Sequence, residues 1–541
     1  MARTGRADTH QQNDAARTDR LRQAMQHLES GRFAQARAIV EPLCDDRRAD
    51  VILAHALAGC GRSARAARML CRLAQDNPTA RHPAQDMMTL LLRHSRLEEI
   101  EATLHATLRQ TPDDIRLYDQ LGEFLLLHAR TEEAIEVLVE GCRRHPSALR
   151  TGNLLAVTQN ETGEAHKAQA LLRHLLTYHP QSAMTHANLA HILTIDNKVD
   201  DALHHHAQAL ALRPDDPHIH LNHAMTLLKA GRHADGWPEY EWRLRIPGRL
   251  KYPPERLLPT LKQDGDLTGQ RILILSEAGL GDMLMYLRFV PALVRRGARV
   301  TLQVPREILP LAARIYGVER AIDPLRPVPA HDWHCPFGSL PRVLAQTSDI
   351  IGAPVPYLHA DPHKVLAWAE YMPPRPGLRV GLVWGGASRP GVAQAQAIDR
   401  KRSMNLAQLA CLSKIPGLYL VNLQRGQHAR QMTDIPDGMQ LYDPMDDVRD
   451  MDDTAAIIMN LDIVVSVDTS IVHLAGALGR PVIMMDRYDN CWRWQSGQDD
   501  SQWYPHLRIV RQSRPGAWDG VVTRVRDLLL AAATRGHVEA R

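Results

Sequence analysis

The sequence predicts an all-α repeat array followed by an α/β region built on two parallel sheets. Two patterns predict this: prolines recur at a fixed interval in the first half, and short apolar runs alternate with helical spacing in the second. A chain of 541 residues is too long for one core of ordinary size, and 44% hydrophobic with 23% charged residues is typical of folded proteins. We therefore expect a multidomain protein.

The repeats are indicated by prolines in the first half of the chain. Their period of 34 residues is that of tetratricopeptide repeats, in which each unit is a pair of antiparallel helices. Proline lacks an amide hydrogen and disfavours helix at the residue before it, so each should follow the second helix of a unit. The prolines are Pro78, Pro112, Pro146, Pro180 and Pro214.

Small residues recur in the same phase and mark where paired helices must approach closely. They lie twelve positions before a proline, at Ala66, Ala134, Ala168 and Ala202. We predict a solenoid over residues 20–248, preceded by a disordered amino terminus at 1–19. Such a solenoid has a concave face that typically binds a peptide or a partner protein.

The second half has the pattern of alternating strands and helices. After a linker at 249–269, six short β-rich runs are separated by segments with helical spacing, which predicts parallel sheets with crossover helices. The proline-rich PPRPG at 373–377 divides them, giving Rossmann-like lobes at 270–372 and 378–535 with a cleft between them. The runs are RILILS, RVTLQV, RVGLVW, LYLVNL, DIVVSV and PVIMM.

Composition and charge exclude several functional classes. The formal charge of +4 is small for this length, and no basic block interleaved with aromatics occurs, which argues against nucleic acid as a partner. The chain lacks a signal-peptide core and a run of about 18 apolar residues, so we expect a soluble, cytoplasmic protein and leave peripheral membrane association open. Seven cysteines without a CxxC pair argue against a disulfide framework and a zinc site.

AGLGDMLMYL, at the start of the first lobe, is a glycine turn that runs into a helix. Gly279 and Gly281 match the first two glycines of a dinucleotide fingerprint, but Leu284 occupies the third position and no acid closes the second strand. This disfavours a dehydrogenase. Asp282 stands in the first turn of the helix, and spacing alone leaves it either a helix cap or a catalytic group.

VDTSIVHLAGALGRP, in the second lobe, has the pattern of an anion site. The run DIVVSV leads into Asp468, and Thr469 and Ser470 begin a helix whose amides and hydroxyls would face an anion at the positive end of its dipole. We predict that a diphosphate binds there. His473, one turn further, either donates to the same phosphates or to a ribose, or is a satisfied core histidine.

Taken together, these motifs resemble the heptosyltransferase-like, family 9 glycosyltransferases. AGLGDMLMYLRFVPAL is similar to that family's entry motif and SVDTSIVHLAGALGRPV to its donor motif, while CPFGSLP, DRKRSMNL, VNLQRG, NCWRWQSG and DSQWYPHLRIVRQ resemble its repeat-containing subgroup. The resemblance implies a GT-B fold and transfer of a sugar from a nucleotide-activated donor without metal or cofactor. It also implies that Asp282 is the general base, and it points to ADP-heptose as the donor.

The resemblance and the positions of strand ends and helix starts give further candidate donor-binding residues. Among Arg400, Lys401 and Arg402, which fall where the family places its phosphate-binding base, we favour Arg402 as the inward one. Gln424 lies at a strand end and Thr454 opens a helix. The full donor set is Gly279, Gly281, Arg402, Gln424, Thr454, Asp468, Thr469, Ser470 and His473.

Asp450 and Asp452 form a DMD motif like the metal-binding carboxylates of a different glycosyltransferase fold. Helix capping explains these acids, so we predict no metal. The sequence thus favours an inverting, metal-independent glycosyltransferase whose repeats help present a glycan or protein acceptor. The alternative is a catalytically inactive repeat scaffold that mediates protein assembly.

Overall fold

A computed structural model of the chain describes residues 5–43, 47–62, 65–66, 69, 97–250, 252–262, 265–345, 354–373, 376–387 and 393–535. The chain divides into two compact units, Met1–Asn188 and Leu189–Arg541. The division falls well before the end of the solenoid predicted for 20–248. The last repeat helices therefore belong to the same compact unit as the α/β region.

The first unit is helical, as predicted. Helix α1 begins at Gly5, inside the stretch 1–19 that was expected to be disordered. Asp114 caps the helix that begins at Ile115 by accepting a hydrogen bond from the Arg116 amide at 3.1 Å. The helices are α1 Gly5–Glu29, α2 Phe33–Val40, α3 Arg47–Gly59, α4 Leu97–Gln110, α5 Ile115–Leu127, α6 Thr131–Arg144, α7 Leu149–Glu161, α8 Ala165–Tyr178 and α9 Ala183–Ile195, of which α9 crosses into the second unit.

Both repeat signals are confirmed where the structure describes them. Pro112, Pro146 and Pro180 lie two residues after the last residues of α4, α6 and α8, and Pro78 lies outside the described residues. The small residues of the pattern are fully buried because larger side chains would separate the paired helices. These are Ala66, Ala134, Ala168 and Ala202, each 0% exposed.

The second unit begins with the last repeat helices: the end of α9, α10 Val199–Leu212, α11 Pro217–Lys229 and α12 His233–Tyr240. Trp237 and Leu228 are buried in one apolar cluster with residues of the α/β region. Arg243, in the 3₁₀ turn after α12, pairs with Glu277 through two hydrogen bonds of 2.6 and 2.8 Å. Glu277 follows the first strand, so this ion pair joins the end of the repeats to the first sheet.

The first sheet has four parallel strands in the order β3-β2-β1-β4. Strands β1 and β2 match predicted runs, whereas β3 and β4 were not predicted. Strand β3 is a largely exposed edge strand with charged residues, so it lacks the apolar run on which the prediction depended. The strands are β1 Arg271–Leu275, β2 Arg299–Gln303, β3 Val318–Ile322 and β4 Trp333–Pro336, with helices α13 Leu280–Tyr286, α14 Val290–Val294, α15 Leu309–Ala313, α16 Leu340–Val343 and α17 Pro362–Ala369.

The second sheet has six parallel strands in the order β10-β9-β8-β5-β6-β7. Every residue of its central strands β5, β8 and β9 is buried, as expected for a sheet covered on both faces. The strands are β5 Leu378–Val383, β6 Leu418–Asn422, β7 Leu441–Tyr442, β8 Ile463–Val467, β9 Val482–Asp486 and β10 Leu507–Arg511, with helices α18 Ala393–Arg402, α19 Met451–Met459, α20 Ser470–Ala477 and α21 Trp518–Arg535.

Within the described ranges, no helix combines the length and the apolar character that crossing a bilayer requires. The order of the helices and the two sheets defines the architecture: a helical repeat array of the tetratricopeptide type, followed by two parallel α/β sheets consistent with a GT-B fold.

Candidate functional site

A cavity of about 630 Å³ lies where the carboxyl ends of both sheets face each other. Its walls come from segments that follow β1 and β2 of the first sheet and β5, β6, β7, β8 and β9 of the second, and open parallel sheets bind ligands at such strand ends. Every residue that the sequence predicted for the site lines this cavity. These are Gly279, Gly281, Asp282, Arg402, Gln424, Thr454, Asp468, Thr469, Ser470 and His473.

Asp282 caps its helix and also faces the cavity, so the two interpretations left open by the sequence are compatible. Its Oδ2 accepts a hydrogen bond from the Gly279 amide at 3.0 Å, which closes a capping box at the start of α13. Its Oδ1 pairs with the guanidinium of Arg493. The carboxylate therefore has one fixed donor on each oxygen.

Gly281 brings the amino termini of α13 and α20 together. A methyl group at this position would lie 2.7 Å from Cδ2 of His473, closer than real carbon atoms pack. Only a glycine lets the helix that carries Asp282 approach the helix that follows Asp468. Both helix dipoles are thereby positive toward one cavity.

His473 is largely buried and also lines the cavity, so the structure is compatible with both roles that the sequence allowed. It is 4% exposed, its Nδ1 shares a 2.9 Å hydrogen bond with the Tyr504 hydroxyl, and its ring stacks on Trp494. Burial lowers the pKa of His473 to about 4, so the imidazole is neutral at neutral pH. It shapes the wall of the cavity and adds no positive charge.

Thr469 is the N-cap of α20, and its hydroxyl accepts from the Ile471 amide at 3.3 Å. Part of the hydrogen-bonding capacity of the Thr469 hydroxyl is therefore used within the helix. Ser470, the first residue of the helix, has an amide without an intrahelical acceptor, and it lines the cavity. The anion-binding capacity expected of this turn thus rests mainly on Ser470 and on the helix dipole.

Arg402 is directed inward, whereas Arg400 is exposed and Lys401 pairs with Asp489 at 3.1 Å. The Arg402 guanidinium donates to the Asp468 carbonyl at 3.1 Å and to Oδ1 of Asp399 at 3.2 Å. It lies against the backbone of Gly386, where a side chain would collide with it. A cation is thereby fixed next to the start of α20.

Gln424, a member of the predicted donor set, is buried at the cavity wall and engaged by the backbone. Its Oε1 accepts from the amides of Trp384 and Gly385 at 3.0 and 2.8 Å, and its Nε2 donates to the carbonyls of Gly385 and Arg425 at 2.9 and 2.7 Å. The side chain has no further donor to offer. It holds the loop after β5 on which Arg402 rests.

Thr454 is likewise buried, and its hydroxyl donates to the Asp450 carbonyl at 3.3 Å. Asp450 is the N-cap of α19 and accepts from the amides of Asp452 and Asp453, as the capping interpretation expects. The carboxylate of Asp452 instead pairs with Arg314, and Lys364 lies within ion-pair distance of both Asp450 and Asp452. Among the described residues, no group of three or more histidine, cysteine or acidic side chains is arranged to hold a metal ion.

Two arginines of the cavity were missed by the sequence analysis. Arg425 directly follows Gln424 and is exposed at the cavity wall. Arg493 lies between two tryptophans in the quoted segment NCWRWQSG. The sequence shows Arg425 as a charged residue next to a strand end and Arg493 as a charged residue between aromatics. Neither pattern shows which residue or ligand the arginine would contact.

Comparison with known proteins supports a glycosyltransferase in general terms. Residues 449–502 match the family model described as glycosyltransferase family 9 (heptosyltransferase). The matched segment contains Thr454, Asp468, Ser470, His473 and Arg493, whereas Asp282 lies outside it. The match covers a small part of the chain, and it falls on the second-sheet wall of the cavity.

A similar curated protein is Protein FlbA of Caulobacter vibrioides, which is 26% identical over 478 residues, or 82% of this chain and 78% of that protein. Solved structures with similarity include YrrB, a TPR protein with an unusual peptide-binding site (14% identity, 34% of this chain, 94% of that chain, TM-score 0.27). Another is TTC0263, a thermophilic TPR protein of Thermus thermophilus (22% identity, 33% of this chain, 97% of that chain, TM-score 0.25). At TM-scores this low, neither likeness supports a conclusion about this chain.

The packing at Gly281 gives a direct prediction. Gly281→Ala should lower the free energy of unfolding by about 1–3 kcal/mol, because the added methyl group forces α13 away from the buried His473 ring. Chemical denaturation of the full chain measures this. The matched control is Gly520→Ala in α21, where no atom lies within 4 Å of the added methyl group.

The control should be neutral or stabilising by up to about 1 kcal/mol, because alanine has the higher helix propensity. Equal effects of the two substitutions would contradict the close approach of α13 and α20.

Proposed function

We propose that this protein is an inverting, metal-independent glycosyltransferase. It transfers a heptose-like sugar from a nucleoside diphosphate sugar to an acceptor. The acceptor is a hydroxyl of a protein or glycan that the repeats help to present. The observation that carries the proposal is the composition of one cavity, which combines a carboxylate on the first sheet with a helix amino terminus and a fixed arginine on the second.

Asp282 has the place and the chemistry of the general base. In the proposed step the acceptor oxygen attacks the anomeric carbon while the bond from that carbon to the diphosphate oxygen breaks. The acceptor proton goes to Asp282, and the electron pair of the broken bond leaves with the nucleoside diphosphate. A positioned carboxylate contributes typically about 10²–10⁴-fold to such a reaction.

The leaving diphosphate needs positive charge that is already in place. The Ser470 amide and the dipole of α20 supply part of it, and the guanidinium of Arg402 beside them supplies a full charge. Arg425 adds a second cation at the exposed side of the same wall. These groups take the role that a divalent metal ion has in other sugar transferases, so we propose that none is required.

The repeats are proposed to deliver the acceptor. Tetratricopeptide-type arrays usually bind proteins or peptides, and here their last helices share a compact unit with the cavity. A macromolecule held on the array would have its hydroxyls kept near the transferase, which raises their effective concentration.

Donor binding is tested by calorimetric titration of the purified chain with ADP, UDP and GDP in the presence of EDTA. One of these nucleotides should bind, and Arg402→Met should weaken it by about 10-fold to 100-fold, because a charged hydrogen bond to phosphate is lost. Asp282→Asn should keep the affinity and lose turnover of the corresponding sugar nucleotide. The control is Arg524→Met, which removes an exposed ion pair on α21 and should change neither.

If no nucleoside diphosphate binds to the folded protein, the transferase assignment fails. The remaining explanation would then be a catalytically inactive repeat scaffold.

The role of the repeats is tested by deleting residues 1–181, a cut that leaves α9 and the second unit whole. Transfer of labelled sugar from the donor into the protein or glycan fraction of a cell extract should be lost. Slow hydrolysis of the sugar nucleotide and the affinity for the nucleotide should remain. If hydrolysis and transfer fall equally, the deleted repeats stabilise the fold and do not present an acceptor.

A further inference from the structure

Arg493 lies against the proposed base, Asp282, and is not one of the groups proposed to bind the diphosphate. It belongs to the segment between β9 and β10, and its Nη2 donates to Oδ1 of Asp282. Its side chain is 16% exposed. Because Asp282 follows β1 of the first sheet and Arg493 follows β9 of the second, this ion pair joins the two walls of the cavity.

The pair leaves room for an acceptor. A carboxylate has two oxygens with about four lone-pair directions in all. The Gly279 amide occupies one direction on Oδ2 and Arg493 occupies one on Oδ1. Donors on both oxygens fix the plane of the carboxylate, and the remaining lone pairs can receive the hydroxyl proton of an acceptor.

The last repeat helices hold the segment that carries Arg493, residues 488–496, which we name the base-support loop. At its first end, Nδ2 of Asn197 donates to the Tyr488 carbonyl at 2.9 Å. At its other end, the Ser496 hydroxyl donates to Oδ1 of Asn197, also at 2.9 Å. A single side chain in the turn between α9 and α10 thus closes both ends of the loop.

A buried lysine holds the middle of the base-support loop. Lys229, the last residue of α11, donates from Nζ to the Asn490 carbonyl at 3.2 Å and to the Thr194 carbonyl at 2.9 Å. It is 3% exposed, and burial lowers its pKa to about 8. A buried ammonium is tolerated only where carbonyl groups solvate it, so its contacts with the loop are strongly directional.

Aromatic packing continues the connection to the guanidinium itself. Arg493 lies over the ring of Trp492 at 4.5 Å, and that ring meets Trp237 of α12 edge to face at 5.5 Å. Trp503 donates from Nε1 to the Arg493 carbonyl at 3.1 Å. Both the backbone and the side chain of Arg493 are therefore fixed before any ligand arrives.

We propose that Arg493 is a positioning residue that orients Asp282, and that the last repeat helices hold it there through the base-support loop. The inference rests on the proposed function, since it assigns a role in the same reaction. Burial lowers the pKa of Arg493 to about 10, which leaves it charged at neutral pH. The repeats of the second unit are accordingly part of the transferase site in addition to any role in binding an acceptor.

The test uses the full chain, the nucleoside diphosphate that binds in calorimetry, and hydrolysis of its sugar conjugate. Arg493→Met should reduce kcat by about 10²-fold, because a base displaced by about 1 Å loses that much. Its affinity for the nucleotide should stay unchanged, because Arg493 is proposed to contact Asp282 and not the nucleotide. Arg493→Lys should recover part of the rate, and guanidinium at non-denaturing concentration should restore Arg493→Ala.

Remote variants test the role of the repeats and remain informative if Arg493→Met does not fold. Asn197→Ala and Lys229→Met should both reduce kcat without changing nucleotide affinity, and both should speed amide hydrogen exchange in residues 488–496. Lys167→Met is the matched control, because it removes an exposed ion pair, with Glu164, in the first unit. It should leave hydrolysis and exchange unchanged.

The outcomes separate this inference from the proposed function. A wild-type protein that binds no nucleotide contradicts the proposed function and removes the basis of the inference with it. Nucleotide binding together with a wild-type rate in Arg493→Met, or in both remote variants, overturns the inference alone. Equal loss of affinity and rate in Arg493→Met also overturns it, because Arg493 would then be a donor ligand.

Discussion

The close approach of two helix amino termini at Gly281 is the constraint on which the rest of the site depends. Because a side chain there would collide with the His473 ring, the glycine sets how near Asp282 comes to Ser470 and Arg402. The two helix dipoles then point at the same volume, which is favourable for an anion and unfavourable when the volume is empty. Asp282 brings a negative charge to the same volume, and the neutral His473 adds no positive charge to it.

Polar side chains in the cavity wall have two different roles: some stabilise the wall, and others are available to bind a ligand. Gln424 and Thr454 point toward the strand ends where ligands bind, yet backbone groups use their hydrogen-bonding capacity. Arg402 is also held by carbonyl groups, but its full charge persists and remains available to an anion. A neutral side chain whose hydrogen bonds are all made within the protein can only stabilise the cavity wall. A cation with the same contacts still attracts an anion electrostatically.

The sequence predicted the repeat period, the central strands and the cavity residues, because each is encoded in local spacing. Prolines end helices, small residues mark close pairs, and continuous apolar runs mark strands buried on both faces. It could not predict Arg493, whose partner Asp282 is 211 residues away. Nor could it place the unit division, because the proline pattern through Pro214 is the same for repeats on either side of it. Long-range contacts such as those of Asn197, Lys229 and Trp237 show that the last helices belong with the α/β region.

The central claim is that the cavity binds a nucleoside diphosphate at the start of α20. The measurement that tests it most directly is a crystal structure of the chain with the nucleotide that binds in solution. We expect the diphosphate within hydrogen-bonding distance of the Ser470 amide and the Arg402 guanidinium, with Asp282 facing the side where the sugar would lie. A nucleotide bound elsewhere, or an unliganded cavity at saturating nucleotide, would contradict it.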